Sequence, residues 1–242
     1  MHTNLRGESI DHQCLLTIVG VRPDGAKELV ALCDGIREST DSWRELLLDL
    51  KARGLAAGPL LATGDGTMGL WAALAEVFPA TRQQRCWVHK TANVLNALQK
   101  ALQAKAKSEL QQIWMAATRE DANAAFDRFI KTYRAKYPKA ANKLTRDRQQ
   151  LLAFYDFPAE HWDHLRSSNP IESVFATVRH RTVRTKGALS ATTAKLMVFK
   201  LVMAASKTWR RLKGENQLPK VVAEVIFRDG TEVTASPDHR AA

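Results

Sequence analysis

Two acidic side chains stand where they could do chemistry. Asp65 sits in the run Thr63-Gly64-Asp65-Gly66-Thr67-Met68-Gly69, directly after the short apolar stretch Pro59-Leu60-Leu61-Ala62. That stretch reads as a buried strand, and strand carboxyl ends are where α/β sheets place their ligands. Glycines on either side allow close approach of backbone or phosphate. Glu172 is the lone acid among eleven Lys and Arg between Arg166 and Lys213. Each acid also has a purely structural reading. Asp65 could cap a helix starting near Thr67. Asn169 suits an N-cap and Pro170 the first helical position, which puts Glu172 at capping-box spacing. The stripe Ile171, Val174, Phe175 and Val178 leaves Glu172 beside the core rather than in it.

Together the acids suggest more than caps. Mg²⁺ takes oxygen ligands, usually one or two carboxylates with phosphate and water. Two such ions about 4 Å apart activate an attacking oxygen and stabilise a leaving one in phosphoryl transfer. Arginines around the carboxylates would hold the phosphates of DNA. A third candidate is Cys86 with His89 in Cys-Trp-Val-His. As a zinc half-site it lacks a second Cys or His pair at plausible spacing. A Cys-His nucleophile is less favoured still, and the plain alternative is a small buried thiol with a packed or phosphate-facing histidine.

Charge sharpens the class of partner. The 242 residues carry 36 Lys and Arg against 25 Asp and Glu, a net charge of +11. Such a field favours polyanions, nucleic acid above all. No apolar run approaches the roughly 20 residues of a membrane span, and no signal-peptide pattern opens the sequence. Three cysteines without framework spacing imply reduced thiols, so the expected location is the cytoplasm, with the nucleoid when bound to DNA.

The elements that must position these residues can be read in order. "QCLLTIVGV" and "KELVALCDG", joined by "RPDG", predict an antiparallel hairpin. "STDSWRELLLDLKARGL" predicts a helix capped by Ser39 or Thr40, with Trp43, Leu46, Leu47 and Leu50 as its apolar stripe and Gly54 as its stop. A strand into Gly64-Asp65-Gly66, a helix over "TMGLWAALAEVF", a strand-like "TRQQRCWVH" and a helix beginning "KTANVLNALQ" follow. This order predicts an α/β sheet with at least one parallel pair. From about Lys100 to Phe157 there is no Gly and one Pro, Pro138, so helices run without intervening strands around Trp114, Phe126, Phe129, Tyr133 and Tyr137. Two further helices, Ile171 to about Val183 and Thr192 to about Leu212, precede a small hairpin around Asp229-Gly230.

"GDGTMGL...FPATRQQRCWVHKTANVL", followed much later by "HLRSSNPIESVFATVRHRTVRTKGALS", resembles the IS256-type, or Mutator-type, bacterial transposases. "RPDGAKELVALCDGIRESTDSWRELLLDLKARGL" is similar to the segment that this family carries ahead of its second catalytic aspartate. The resemblance covers nearly the whole chain to about Lys213. It implies an RNase H-like (DDE) mixed sheet with flanking helices, interrupted by an all-helical insertion. Residues 1–99 would then form the first part of the catalytic core, 100–158 the insertion, 159–213 the second part with the glutamate and basic helices, and 214–242 a tail. By this match Asp65 is the second acidic ligand and Glu172 the third, holding Mg²⁺ or Mn²⁺ in a two-metal site once the triad is complete. Cys86 and His89 match the family's Cys-x-x-His signature, which favours support of the core over direct ligation. Arg179, Arg181, Arg184 and Lys186 are the candidate DNA contacts.

The family carries its first aspartate in a segment like Asp-Gly-Ile-His leading into Asn-x-Arg. His2, Asn4 and Arg6 match the region just after it, so the expected aspartate would precede Met1 by two or three residues. The resemblance therefore implies an amino-terminally truncated chain, or a misplaced start codon, that is inactive alone. Asp11 and Asp34 are the other acids near the front, and the match gives Asp34 a turn role. The function implied is metal-dependent strand cleavage and strand transfer on insertion-sequence terminal inverted repeats and target DNA. The expected protein partner is another copy or a full-length transposase. The alternative is a non-catalytic DNA-binding or dimerising remnant.

Overall fold

The computed structural model describes residues 14–35, 39–66, 68–169, 171–172, 175–176 and 191–234. Strands β1 (Cys14–Val21) and β2 (Lys27–Gly35) form the expected antiparallel hairpin, in register from Cys14 opposite Gly35 to Val21 opposite Lys27. Alternation sends its side chains to two faces. On one face Leu16 packs against Trp43, Leu46, Leu47 and Leu50 of helix α1 (Thr40–Ala52) and Ala73, Leu74 and Val77 of helix α2 (Met68–Val77). On the other, Leu15 with Leu29 and Leu32 meets Val198 and Val202 of helix Ala191–Ser206. The hairpin is thus covered by helices on both sides.

Local signals place α1 well. The Ser39 side chain accepts from the Ser42 amide at 3.2 Å, and the helix ends at Arg53, before Gly54 at φ +110°. The helix expected from Thr192 to about Leu212 ends earlier, at Ser206. There the chain turns so that Trp209 folds back on the Val198 cluster and the Leu212 amide reaches the Gly25 carbonyl at 2.9 Å.

Strands β3 (Leu61–Gly64) and β4 (Arg82–Arg85) pair in parallel, linked by α2. Among the described residues the β1–β2 and β3–β4 pairs are separate two-stranded sheets. The strand-like reading of "TRQQRCWVH" holds only to Arg85, because helix α3 spans Trp87–Leu95. Its buried stripe of Trp87, Lys90, Thr91 and Val94 has helical period and already starts at Trp87. That earlier start puts His89 in the first helical turn, on the same side as Cys86.

Helices α4 (Lys100–Trp114), α5 (Arg119–Tyr133) and α6 (Pro138–Thr145) follow without a strand. They bury Leu110, Ile113, Phe126, Phe129 and Leu144 around Trp87, Val94, Phe154 and Tyr155. The helical region therefore shares one core with α3. The tail forms the expected hairpin, β5 (Phe227–Arg228) with β6 (Thr231–Glu232). Asp229 and Gly230 both take positive φ, 50° and 80°, as a tight two-residue turn requires. The turn docks on the helical region: the Arg119 amide donates to the Asp229 carboxylate at 2.7 Å, and the Ala159 amide to the Gly230 carbonyl at 3.1 Å.

Gln84 joins the strand layer to the helical core. Fully buried, it donates to the Arg85 and Leu151 carbonyls at 2.9 and 3.2 Å and accepts from the Phe154 amide at 2.8 Å. Truncation leaves that amide without its acceptor in a dry interior. Gln84→Ala should lower unfolding free energy by about 2–3 kcal/mol, read from the urea midpoint. A midpoint within error of wild type would show that the bridge carries no stability.

Candidate functional site

Three segments far apart in sequence converge at the carboxyl ends of β3 and β4. The Thr63 hydroxyl donates to the Leu165 carbonyl at 3.0 Å, the Trp87 amide to the Arg166 carbonyl at 2.9 Å, and the Ser168 amide to Cys86 Sγ at 3.3 Å. The Cys86 amide in turn donates to the Gly64 carbonyl at 2.8 Å, which fixes the end of one strand on the other. Asp65 and Gly66 emerge here, with the Gly66 amide turned onto Asp65 Oδ1 at 2.5 Å. A Cβ on Gly66 would collide with the Arg85 side chain, so only glycine lets the guanidinium lie against this turn.

Glu172 enters from the third segment. The Ile171 and Glu172 amides donate to the Ser168 carbonyl at 2.9 and 3.2 Å, so the helical turn opens at Asn169 with Ser168 as its cap residue. This corrects the Asn169 capping box by one residue. The reason is physical: the Ser168 amide is already committed to the Cys86 sulfur, which anchors the turn one position earlier. Instead of folding back onto an Asn169 amide, the Glu172 carboxylate takes a hydrogen bond from the Ser168 hydroxyl at 3.1 Å and lies 3.4 Å from His89 Nε2. The Ser168 hydroxyl also meets His89 Nδ1 at 3.4 Å. One donor atom from each of Cys86, His89 and Glu172 lies within 4.8 Å of the other two.

The electrostatics follow from these contacts. His89 is held above the ordinary imidazole range, chiefly by its hydrogen bond with Cys86, against the effect of burial and with help from the Glu172 and Asp65 charges. Burial pushes the Cys86 thiol up, yet hydrogen bonds from His89 and Ser168 outweigh it and bring the thiol below its usual value. Asp65 and Glu172 thus act on one imidazole, although Asp65 is not a member of the close set of three.

The other expected site residues are distributed as follows. Asp34 lies next to the end of β2, opposite Leu15, in the strand read from "KELVALCDG". Arg179, Arg181, Arg184 and Lys186 lie outside the described residues, as does Asp11. Arg166, counted in the basic run, is structural: it is mostly buried, donates to the Trp114 carbonyl at 2.6 Å and pairs with Asp163 at 2.5 Å. Arg211 and Lys213 are likewise paired, with Glu215 and Asp163 at 3.4 and 3.2 Å. Sequence reasoning missed Ser168, whose position beside Asn169 gave it no periodic signal, and Arg85, Lys90 and Asp147, which meet only in three dimensions.

The family model described as "Transposase, Mutator family" matches residues 1–211. The transposase for insertion sequence element IST2 of Acidithiobacillus ferrooxidans is 55% identical over 95% of this chain and 78% of its own length. The transposase for insertion sequence element IS6120 of Mycolicibacterium smegmatis is 50% identical over 90% of this chain and 67% of its own. A more distant relative, the transposase for insertion sequence element ISRM5 of Rhizobium meliloti, is 31% identical over 70% of this chain and 42% of its own.

Behind the site, Asp147 pairs with both Lys90 and Arg85, the latter at 3.1 Å; the two cations are 2% and 8% exposed, so neither can be screened by water. Burial pushes the Asp147 carboxyl up, but Lys90 and Arg85 more than reverse this and hold it below its ordinary value. A depressed folded value means that its stabilising contribution is present above the unfolded carboxylate pKa, about 3.9, and is lost as pH falls through the folded one. Asp147→Asn should cost about 3–5 kcal/mol at neutral pH by stranding two buried cations. The wild-type urea midpoint should fall on acidification below about pH 4, and the variant's should fall less. Parallel pH profiles of the two proteins would remove Asp147 as the titrating group.

Proposed function

The chain belongs to the Mutator family of transposases, and from that premise we propose that it is a DDE-type core on an RNase H-like fold. In this reading it cleaves and transfers DNA strands at insertion-sequence ends. The observation that carries the reading is the docking of the segment that bears Glu172 on the strand ends that bear Asp65, through Thr63 to Leu165, Trp87 to Arg166 and Ser168 to Cys86, although more than a hundred residues separate the two acids. Family membership supports DNA as the substrate, and the net charge of +11 suits it.

Hard carboxylate oxygens at a half-buried, solvent-reached corner fit Mg²⁺ or Mn²⁺, and Asp65 and Glu172 are the residues that would hold the ion. When bound, the ion supplies Lewis-acid stabilisation of the charge that develops on phosphate oxygens. The chain's own groups do the positioning. Ser168 orients the Glu172 carboxylate, His89 lies 3.4 Å from that carboxylate and within the field of Asp65, and the Gly66 amide holds Asp65 Oδ1. Arg179, Arg181, Arg184 and Lys186 would grip phosphates on either side of the scissile bond and fix its register without reading sequence. A second copy of the chain would bring the two ends of an element together.

Two measurements test this. In the longest chain that the gene encodes, Asp65→Asn and Glu172→Gln should each reduce Mn²⁺-dependent cleavage of end DNA at least about a hundredfold and leave end binding nearly unchanged. Cleavage that survives either substitution rejects the assignment, whereas end binding with no cleavage in any form would favour the DNA-binding remnant. Neutralising Arg179, Arg181, Arg184 or Lys186 singly should flatten the plot of log affinity against log salt by about 0.9 for each phosphate no longer neutralised. An unchanged slope would return that side chain to the solvated surface.

A further inference from the structure

We propose that Cys86 Sγ, His89 Nε2 and Glu172 Oε1 form a binding site for one zinc ion, with a fourth position open to solvent or to a phosphate oxygen. The Ser168 hydroxyl has one hydrogen, and Glu172 Oε1, an acceptor only, takes it at 3.1 Å. Toward His89 Nδ1, at 3.4 Å, the same oxygen must then accept, which places the ring hydrogen on Nδ1. In that tautomer Nε2 presents a lone pair to Glu172 Oε1 across 3.4 Å. Two acceptors facing each other at this distance require a cation between them. A proton can satisfy that pair alone. The Cys86 sulfur, hydrogen-bonded to His89, is a third Lewis base in the same group, all within 4.8 Å, and one metal ion can replace these hydrogens and serve all three.

The edge between His89 and Glu172 suits zinc. Bond lengths of about 2.0–2.3 Å give tetrahedral ligand-to-ligand edges of about 3.3–3.7 Å, and the His89–Glu172 edge is 3.4 Å. Sulfur, imidazole and carboxylate together select a borderline-soft ion, and Glu172 engaged through Oε1 would leave its other oxygen for the oxygen-seeking Mg²⁺ or Mn²⁺ proposed above. Three protein ligands with one position left open is the arrangement of reactive rather than purely structural zinc sites. Outer contacts are in place as well: the Ser168 amide supports the sulfur at 3.3 Å, and the Ser168 hydroxyl orients both the imidazole and the carboxylate. Cys86 itself is buried, while His89 and Glu172 are 39% and 42% exposed, so an ion has a way in. Cys-x-x-His lacked a second cysteine or histidine pair in the sequence; the third donor is a carboxylate from a distant helix.

The experiment uses Co²⁺ as a spectroscopic probe in purified, chelator-treated full chain and reads no catalytic activity, so it is independent of the assignment of the DNA chemistry. Saturation at one Co²⁺ per chain, a sulfur-to-cobalt charge-transfer band and the visible bands of tetrahedral cobalt are expected, all abolished by one equivalent of Zn²⁺. Cys86→Ser should remove the charge-transfer band, His89→Gln and Glu172→Gln should each weaken zinc binding at least about tenfold, and Ser168→Ala should weaken it by about tenfold. If Cys86→Ser fails to fold, the double variant Cys14→Ser with Cys33→Ser replaces it and should keep the full band. Octahedral cobalt without sulfur absorption, a band that survives Cys86→Ser, or zinc affinity unchanged in Glu172→Gln would each overturn the proposal.

Discussion

The laying of residues 165–168 across the ends of β3 and β4 is the constraint on which the site depends. Closing the chain between Trp87 and Arg166 encloses a loop of about 80 residues, at an entropic cost near 4 kcal/mol from loop length alone. The three hydrogen bonds across this seam contribute about 1 kcal/mol each, so they do not hold it closed unaided. The remainder comes from what the loop contains. Helices α4, α5 and α6 fold against Trp87, Val94, Phe154 and Tyr155, so the residues between the two sides of the seam are a packed layer rather than a slack chain. Trp87 ties the two scales together, since its ring nitrogen donates to the Leu151 carbonyl at 2.8 Å while its backbone amide holds Arg166. The helical region is therefore a spacer with a defined span, and the position of Glu172 follows from it.

Burying Lys90, Arg85 and Asp147 behind this seam is unfavourable taken one charge at a time, and their pairing recovers only part of the desolvation. What the cluster adds is specificity of placement. Asp147 belongs to the end of the helical region, whereas Lys90 and Arg85 flank the Cys-Trp-Val-His turn. A shift of one layer against the other would strand two cations in a dry interior, so alternative packings are strongly disfavoured. Arg85 is at once the partner of Asp147 and the group that lies against Gly66, which links the helical region to the turn bearing Asp65.

Much of the fold was legible because its signals are local. The Ser39 cap, the Gly54 stop, the Asp229-Gly230 turn and the strand-free composition from Lys100 to Phe157 each act within a few residues, and the chain follows them. The acids were legible as candidates for the same reason, through glycines around Asp65 and a helix start at Glu172. What surrounds them was not. Lys90 resembles any helix-surface lysine until Asp147 arrives from the turn after α6, and Gln84 shows no sign in sequence of its three interior hydrogen bonds. The cap at Glu172 was misplaced by one residue because Asn169-Pro170 is locally the better start. The deciding partner, the Cys86 sulfur, lies some eighty positions away.

A carboxylate at a helix start amid so much positive charge invites a reading as a simple neutralising cap. The geometry asks more of it. The amino end of the helical turn favours an anion at Glu172, but the turn's own amides are satisfied by the Ser168 carbonyl rather than by the Glu172 side chain. The carboxylate is consequently held by a hydroxyl and an imidazole, both half-buried groups able to yield to a cation. A cap hydrogen-bonded to its own backbone would need to break that bond before meeting a metal, whereas this one is presented already oriented. Local helix chemistry and site chemistry are therefore compatible at Glu172 because Ser168 does the capping and leaves the carboxylate to face His89 and Cys86.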